Sequence, residues 1–263
     1  MYANPLPPLD PILYHAHHLL RADDVPFWQT LAHTYPGPLL ELGCGTGRIL
    51  LPLAETGQTL AGLDSDPQML AYFRTQLPPQ GYPNLTLHQG DMRAFNLPQR
   101  FDLIILPCNT FSTFPAPDRE QIAQIVARHL NPSGLFAVSF PNPEMLASLE
   151  PSSPFDLEDT FPHPETRYPI EVFSQWDKSS ESSIYGETDL LTFTWRYDHR
   201  FPNGNTLSQL ATTHHYLDSP EMYLDNLQQA GLMPLHLYGD YQFMPFDPDE
   251  STYLIVVAQK QSG

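Results

Sequence analysis

The ten residues "LLELGCGTGR" (39–48) constrain the fold of this chain more than any other stretch. An apolar run enters three glycines at alternate positions, Gly43, Gly45 and Gly47, and "RILLPLAETG" (48–57) follows with the spacing of a helix. Glycine costs backbone entropy, so three in one bend mark a place where a ligand or another backbone must come close. A strand, a glycine turn and a helix in succession aim backbone N–H groups at such a ligand. Two familiar nucleotide fingerprints do not fit. The dinucleotide pattern needs a small residue where Arg48 stands, and a P-loop needs a lysine that does not follow.

The rest of the chain tells which kind of sheet the turn belongs to. "DDVPFWQTLAHTY" (23–35) reads as an opening helix, with Asp23 or Asp24 as its cap. Strands are predicted at 38–43, 59–64, 84–91, 101–107 and 134–140, with helices at 48–57, 66–77 and 118–130 between them. "FDLIILP" is continuously apolar and predicts a strand buried on both faces. This alternation implies a parallel sheet covered by helices on both sides. It breaks at 142–165, where prolines and acids leave little periodicity. Antiparallel strands are expected from 168 to 218, with "PNGN" as a hairpin turn. Ser219 and Gly231 bracket a last helix, and two final strands separated by a short loop should pair antiparallel.

Acidic residues fall where such a sheet binds ligands. Asp64 closes the second strand, 21 positions after Gly43, and a carboxylate there can accept hydrogen bonds from both hydroxyls of a ribose. Asp91 follows the third strand. Its carboxylate can accept from an exocyclic amine of adenine while the amide of Met92 reaches a ring nitrogen.

With these residues in place, the chain resembles the class I S-adenosylmethionine-dependent methyltransferases. "LELGCGTGR", "GLDSDPQML", "GDMRAF", "FDLIILPCNTF" and "LNPSGLFAVSF" occur in that family's order and spacing. The likeness is close over residues 10–141 and looser over 219–260. It implies a Rossmann-like α/β fold: a seven-stranded, mostly parallel sheet with its last strand antiparallel, and an inserted antiparallel β lid or auxiliary sheet. The expected domains are an N-terminal helical cap (1–37), a cofactor-binding core (38–141), a β-rich insertion (142–218) and a C-terminal completion of the core (219–263). The implied cofactor is S-adenosylmethionine. Its methionine end would be held by Glu41 and by the turn residues Gly43, Cys44, Gly45 and Gly47. Asp64 would hold the ribose, Ser65 and Met69 would flank the adenosine, and Asp91 and Met92 would hold adenine. Pro107, Cys108 and Phe111 would line the side where cofactor meets substrate.

The N- and C-terminal elaborations resemble small-molecule N-methyltransferases, including amino-sugar N,N-dimethyltransferases. In those enzymes a tyrosine near the N-terminus folds over the cofactor, and "PILYHAHH" places Tyr14 there. The histidines of "HAHH" find no partner cluster at ligand spacing, so no metal is expected. A histidine often found after strand four of the sugar-modifying enzymes is replaced here by Phe114. Within the insertion Arg167, Trp176, Tyr185, Trp195, Arg196, Tyr197, His199, His214 and His215 are candidates, most of them structural. His214 and His215 are the candidates for taking a proton from an incoming ammonium.

Charge narrows the partners. With 12 Lys+Arg against 30 Asp+Glu the formal net charge is −18, which repels phosphate backbones and anionic membranes. Small neutral or cationic acceptors fit better, and neither nucleic acid nor membrane is expected as a partner. Two cysteines, Cys44 and Cys108, give no disulfide framework, and the N-terminus lacks a signal-peptide pattern. A cytoplasmic enzyme, alone or as a homodimer, is the expectation. N-methylation of a small amine is the first reading. O-methylation of a carboxylate or hydroxyl, or a non-catalytic cofactor-binding partner protein, are the alternatives.

Overall fold

The computed structural model describes residues 9–183 and 186–261, with the side chains of 181–188 left aside. The chain folds as two compact units: Met1–Arg21 with Leu149–Leu217, and Ala22–Ser148 with Asp218–Gly263. The N-terminal 37 residues expected as one cap are thus divided after Arg21.

The larger unit is built on a seven-stranded sheet. In chain order its strands are β1 (Leu39–Leu42), β2 (Leu60–Asp64), β3 (Leu85–Gln89), β4 (Phe101–Leu106), β5 (Leu130–Pro141), β10 (Leu232–Tyr238) and β11 (Tyr253–Lys260). In space they run β10-β11-β5-β4-β1-β2-β3. The five strands β1 to β5 pair parallel, and β11 pairs antiparallel with both β5 and β10. The sheet expected from the sequence, with its last strand reversed, is the one found.

Successive side chains of a strand point to opposite faces, and the two faces here feed two cores. Leu40, Leu42, Ile104, Leu106, Phe136, Val138, Leu254 and Val256 join one core, under α5 (Ala116–His129) and α7 (Pro220–Gln229). Leu39, Leu103, Ile105, Ala137, Ile255 and Val257 join the other. There they meet Phe27 and Trp28 of α2 (Val25–Thr34), Leu50 and Leu53 of α3 (Leu50–Ala54), and Leu70 and Phe73 of α4 (Pro67–Gln76). Glu41 shares its parity with Leu39. The strand register therefore drives this carboxylate to the α2–α3 side, where it is 4% exposed.

Several elements differ from the sequence reading. α3 has only five residues of the expected ten. Pro52 has no N–H to bond the carbonyl of Arg48, which shortens the helix at its start. β5 begins at Leu130 rather than 134; "NPSG" is absorbed as an irregularity, with Ser133 left-handed at φ 61°. Asp24 sits at the N-cap of α2, but its side chain makes no capping bond.

The smaller unit holds a four-stranded antiparallel sheet, β6-β7-β8-β9. Its strands are β6 (Asp156–Pro162), β7 (Pro169–Ser183), β8 (Gly186–Arg200) and β9 (Thr206–Tyr216). β6 lies in the stretch read as irregular, and a short helix, α6 (Pro143–Ser148), precedes it in the larger unit. The helix α1 (Pro11–Leu19) packs Leu13 against Phe161, Ile170, Val172 and Tyr197. His17 Nδ1 lies 2.9 Å from the Tyr197 hydroxyl and its Nε2 lies 3.1 Å from Asp159 Oδ2. The partners that "HAHH" lacked in sequence are therefore Glu158 and Asp159, whose oxygens lie within 4.8 Å of each other and of His17 Nε2. The cation between them is the guanidinium of Arg21, at 2.8 and 2.9 Å.

In the larger unit, α5 and α7 are joined through a fully buried arginine. Arg119 pairs with Asp218, donates to Asn226 Oδ1 at 3.0 Å and to the Phe114 carbonyl at 2.8 Å, and lies 4.5 Å over the ring of Tyr223. Removing one partner of a buried ion pair leaves the other charge uncompensated. Arg119→Leu should therefore destabilise the chain by about 3–5 kcal/mol, and adding Asp218→Leu should recover a large part of that loss. Urea denaturation of the two variants measures this; a double variant no more stable than the single one would contradict it.

Candidate functional site

The carboxyl ends of β1, β2 and β4 meet at the glycine turn. Gly43, Gly45 and Gly47 all have positive φ, at 67°, 50° and 87°. They are not equivalent. A Cβ on Gly47 would lie 2.4 Å from the ring of Phe73, so this glycine is required by packing as well as by φ. A Cβ on Gly43 would meet nothing closer than the Met92 Cε at 3.6 Å, with Thr110 at 3.9 Å. Crowding does not explain Gly43, since a Cβ there would make only ordinary contacts with Met92 and Thr110; its positive φ does. Cys44 is buried, and its backbone N–H donates to the Leu63 carbonyl at 3.1 Å. Burial pushes its thiol well above the usual range.

Asp64 ends β2 and ties itself to the turn. Its Oδ2 accepts from the Gly45 N–H at 2.7 Å, and its Oδ1 accepts from the Asp66 N–H at 2.8 Å. Burial raises its pKa, against these backbone donors, which lower it. Each carboxylate oxygen has two lone pairs, so acceptor capacity remains beyond the two backbone bonds. Ser65 is exposed and Met69 half-buried on the following turn and helix.

Glu41 is the other acid of the turn. Its Oε2 is shut off from solvent and has no hydrogen-bond donor among the described residues. Burial raises its pKa well above the usual carboxylate range, with Arg48 acting in the opposite direction. A buried acceptor without a donor is costly, on the order of 1–3 kcal/mol, and calls for an explanation.

Arg48, noted in the sequence only as a misfit to the dinucleotide pattern, is the centre of a polar network. Its Nη1 bonds Asp24 Oδ1 at close range, and its Nη2 donates to Asp24 Oδ2 at 2.8 Å. The same Nη2 lies 3.0 Å from Cys108 Sγ. Asp24 also accepts from the Trp28 indole at 3.0 Å, which is why its side chain does not cap α2. Burial alone would lower the pKa of Arg48, but the Asp24 bond and the thiol outweigh it and hold the guanidinium charged.

The segment after β4 is strained. Cys108 and Asn109 are consecutive left-handed residues, at φ 60° and 58°. For a residue with a Cβ this costs roughly 1–2 kcal/mol each. The Asp24–Arg48–Cys108 chain holds the first of them. The Asn109 N–H reaches Ser139 Oγ at 3.4 Å, and its Oδ1 is buried with no donor among the described residues. Pro107 is buried, and Phe111 is fully buried against Phe136 and Phe140. Phe111 therefore lies in the core under the sheet, whereas Cys108 keeps an exposed surface. The sequence reading overlooked Asp24, Arg48 and Asn109. The one available signal was an asparagine in the short segment that follows a strand, a residue type that tolerates left-handed backbone.

Of the remaining candidates, Asp91 belongs to the larger unit and the others to the smaller. Asp91 is partly exposed and is gripped by Arg93, whose Nη2 donates to its Oδ2 at 2.7 Å and whose Nε reaches both oxygens at 3.1 Å. This guanidinium holds its carboxyl below the usual range. Tyr14, in the smaller unit, stacks on His18 with ring centroids 3.9 Å apart. His214 and His215 lie on opposite faces of the β8–β9 ladder, opposite Thr192 and Leu191. His214 is exposed, with Nδ1 2.8 Å from Thr192 Oγ1, whereas His215 is buried edge-on to Phe193. Of the other insertion candidates, Trp176 donates to the Glu150 carbonyl, Trp195 donates to Glu158, and Arg196 lies over Phe155 and Phe173. His199 lies 5.5 Å from His163, and Arg167 is left-handed at φ 64°. Tyr185 lies outside the described residues.

Comparison with known proteins accords with this geometry. Residues 39–134 match the family described as a methyltransferase domain, the stretch that contains the glycine turn, Asp64, Asp91 and β4. Over these residues the chain carries a methyltransferase domain. It is 26% identical to YqeM of Bacillus subtilis over 227 residues, 85% of this chain and 84% of that one. It is 33% identical over 103 residues to the dTDP-3-amino-3,4,6-trideoxy-α-D-glucopyranose N,N-dimethyltransferase of Streptomyces venezuelae. That match spans 38% of this chain and 40% of the relative. Its fold is that of an S-adenosylmethionine-dependent methyltransferase from Clostridium acetobutylicum, with TM-score 0.76, 17% identity, and 95% of this chain and 98% of that one covered. Among the described residues no helix is long and apolar enough to cross a membrane.

The burial of His215 makes a pH prediction. Burial lowers its pKa from 6.5 to about 4. Between these values the unfolded chain binds the proton that the folded chain refuses, so stability is present above about pH 6.5 and falls as the pH drops toward 4. The loss should approach about 3 kcal/mol at pH 4, and His215→Gln should lack this part of it. Denaturation midpoints from pH 7 to 4 measure the difference; parallel curves for the two proteins would contradict the assignment.

Proposed function

We propose that this methyltransferase uses S-adenosylmethionine to methylate a small molecule, and that the acceptor is an amine. The observation that carries the cofactor assignment is the pair of acids around the turn. Glu41 offers a buried oxygen with no donor among the described residues, and Asp64 is fixed by the Gly45 amide with lone pairs to spare. A ligand bearing an ammonium group and a vicinal diol supplies what both lack. Gly43, with no side chain and a φ of 67°, gives such a ligand close approach to the backbone.

In this reading Glu41 receives the ammonium of the methionine end at the backbone of Gly43, Cys44 and Gly45, and Gly47 keeps the turn packed. Asp64 accepts from the ribose hydroxyls, with Ser65 and Met69 beside them. Met92, next to Gly43, and Asp91, with Arg93 behind it, lie toward the base. When bound, S-adenosylmethionine supplies a methyl group already activated on a sulfonium. The protein then has little bond chemistry of its own to do. Its residues align a neutral nucleophile for in-line attack and keep water away, which can account for most of the rate. Cys108 borders this region.

The amine reading has two supports. The Streptomyces venezuelae relative is by name an N,N-dimethyltransferase of an amino sugar. The net charge of −18 concentrates cations rather than anions near the surface. A protonated amine must lose a proton before it attacks. Exposed His214 is the candidate proton acceptor; His215, held neutral by burial down to about pH 4, is the weaker base.

Two measurements test this. Asp64→Ala removes a charge-assisted acceptor of two bonds, so affinity for S-adenosylhomocysteine should weaken by about 2–4 kcal/mol in calorimetry. Unchanged affinity would reject the ribose role. For the acceptor, release of S-adenosylhomocysteine should occur with members of an amine panel and not with matched carboxylates and phenols. Turnover confined to oxygen acceptors would remove the amine reading.

A further inference from the structure

The smaller unit carries a cluster of metal-ligand side chains that methyl transfer leaves unused. His17 of α1 meets Glu158 and Asp159, which are consecutive in β6. Its Nε2 lies 3.1 Å from Asp159 Oδ2 and 3.9 Å from Glu158 Oε1, and the three atoms all lie within 4.8 Å of one another. Consecutive residues of a regular strand point to opposite faces, so two neighbouring carboxylates do not ordinarily meet one imidazole. Here the β6–β7 ladder shifts register. Leu157 opposes Phe173 and Asp159 opposes Val172, which leaves Glu158 as the extra residue of a bulge. A bulge re-aims a side chain, and this one brings Glu158 to His17 together with Asp159.

Two of the three ligands are also held from behind. The Tyr197 hydroxyl lies 2.9 Å from His17 Nδ1, and the Trp195 indole donates to Glu158 Oε2 at 3.0 Å. These contacts use the far atom of each side chain and leave Nε2 and Oε1 directed at the shared centre. A metal-bound imidazole donates its other N–H to an oxygen, and a tyrosine hydroxyl can accept it. The His17 side chain is 6% exposed, against 57% for Arg21, whose guanidinium reaches the same Glu158 Oε1 and Asp159 Oδ2 at 2.8 and 2.9 Å. A guanidinium only donates, so it cannot use an imidazole lone pair, and its single charge does not balance two carboxylates. A dipositive ion does both.

The geometry points to a site for a divalent transition-metal ion, with zinc as the type, formed by His17 Nε2, Glu158 Oε1 and Asp159 Oδ2 and covered by the Arg21 guanidinium when no metal is bound. One imidazole with two carboxylates suits zinc; magnesium and calcium prefer oxygen alone. Zinc bonds of about 2.0–2.2 Å in a tetrahedron put neighbouring ligand atoms about 3.3 Å apart, close to the His17–Asp159 spacing. The fourth position falls to water. Because one ligand comes from α1 and two from β6, the ion fastens the helix to the sheet. The inference does not depend on the identity of the methyl acceptor.

Calorimetry of the chelator-treated full chain with zinc near neutral pH tests it. The chain has 11 histidines, so variants must decide which binding belongs to this site. Wild type should bind one zinc ion with a Kd of about 10 μM or tighter, and zinc should raise its thermal midpoint. His17→Gln should weaken this binding by about tenfold or more. Glu158→Gln keeps an oxygen for the Trp195 indole, so it spares the fold, and it should weaken binding by a similar factor. Arg21→Ala removes the competing cation and should tighten binding by about threefold or more. A wild-type Kd above about 1 mM would overturn the inference. Wild-type affinity in both His17→Gln and Glu158→Gln would overturn it as well, because the zinc would then sit elsewhere. So would an Arg21→Ala variant that binds zinc no more tightly, because the guanidinium would then not share the site.

Discussion

The site depends on one hydrogen bond, from the Gly45 amide to Asp64 Oδ2 at 2.7 Å. It spans two strands, joining the turn after β1 to the end of β2. A parallel sheet brings these ends side by side because each strand returns through a helix in the same direction. The bond fixes a charged acceptor at the carboxyl edge, where open α/β sheets bind ligands. It also sets the turn's conformation, since Gly45 must present its N–H at φ 50°. Gly47 then lets α4 close in through Phe73.

A second constraint is the cost of burying acceptors. Strand parity sends Glu41 into the layer occupied by Phe27, Trp28 and Leu50, where a carboxylate is disfavoured. The fold offsets part of that cost with a charged neighbour, Arg48, and satisfies Arg48 in turn with Asp24. It does not remove the cost, because Oε2 has no donor among the described residues. Natural proteins depart from local satisfaction mainly at functional sites. Here the departure coincides with the stretch that matches a methyltransferase domain.

Much of this was legible in the sequence because the relevant signals are local. β1, β2 and β4 are short apolar runs, and the glycine turn, Asp64 and Asp91 lie beside them in the chain. The reversal of β11 follows from loop length, whereas α3 stops at Ala54, short of the glycine at 57 that the sequence offered as its end. What was not legible depends on distant pairings. β6 carries few buried side chains, so it leaves no hydrophobic alternation to read. Asp24 looked like a cap because its partner Arg48 lies 24 residues away. His17 looked solitary because Asp159 lies 142 residues away. Asn109 is an ordinary loop residue until its backbone angle and its unpaired oxygen are known. His214 and His215, adjacent in sequence, are separated by the pleat of β9.

The central claim is that the cofactor is held at the turn between β1 and β2. Hydrogen exchange of the full chain with and without S-adenosylhomocysteine tests it most directly. The account predicts that saturating ligand slows exchange in peptides covering residues 41–48 and 64–69. Slowing confined to other parts of the chain, with these two segments unchanged, would contradict it.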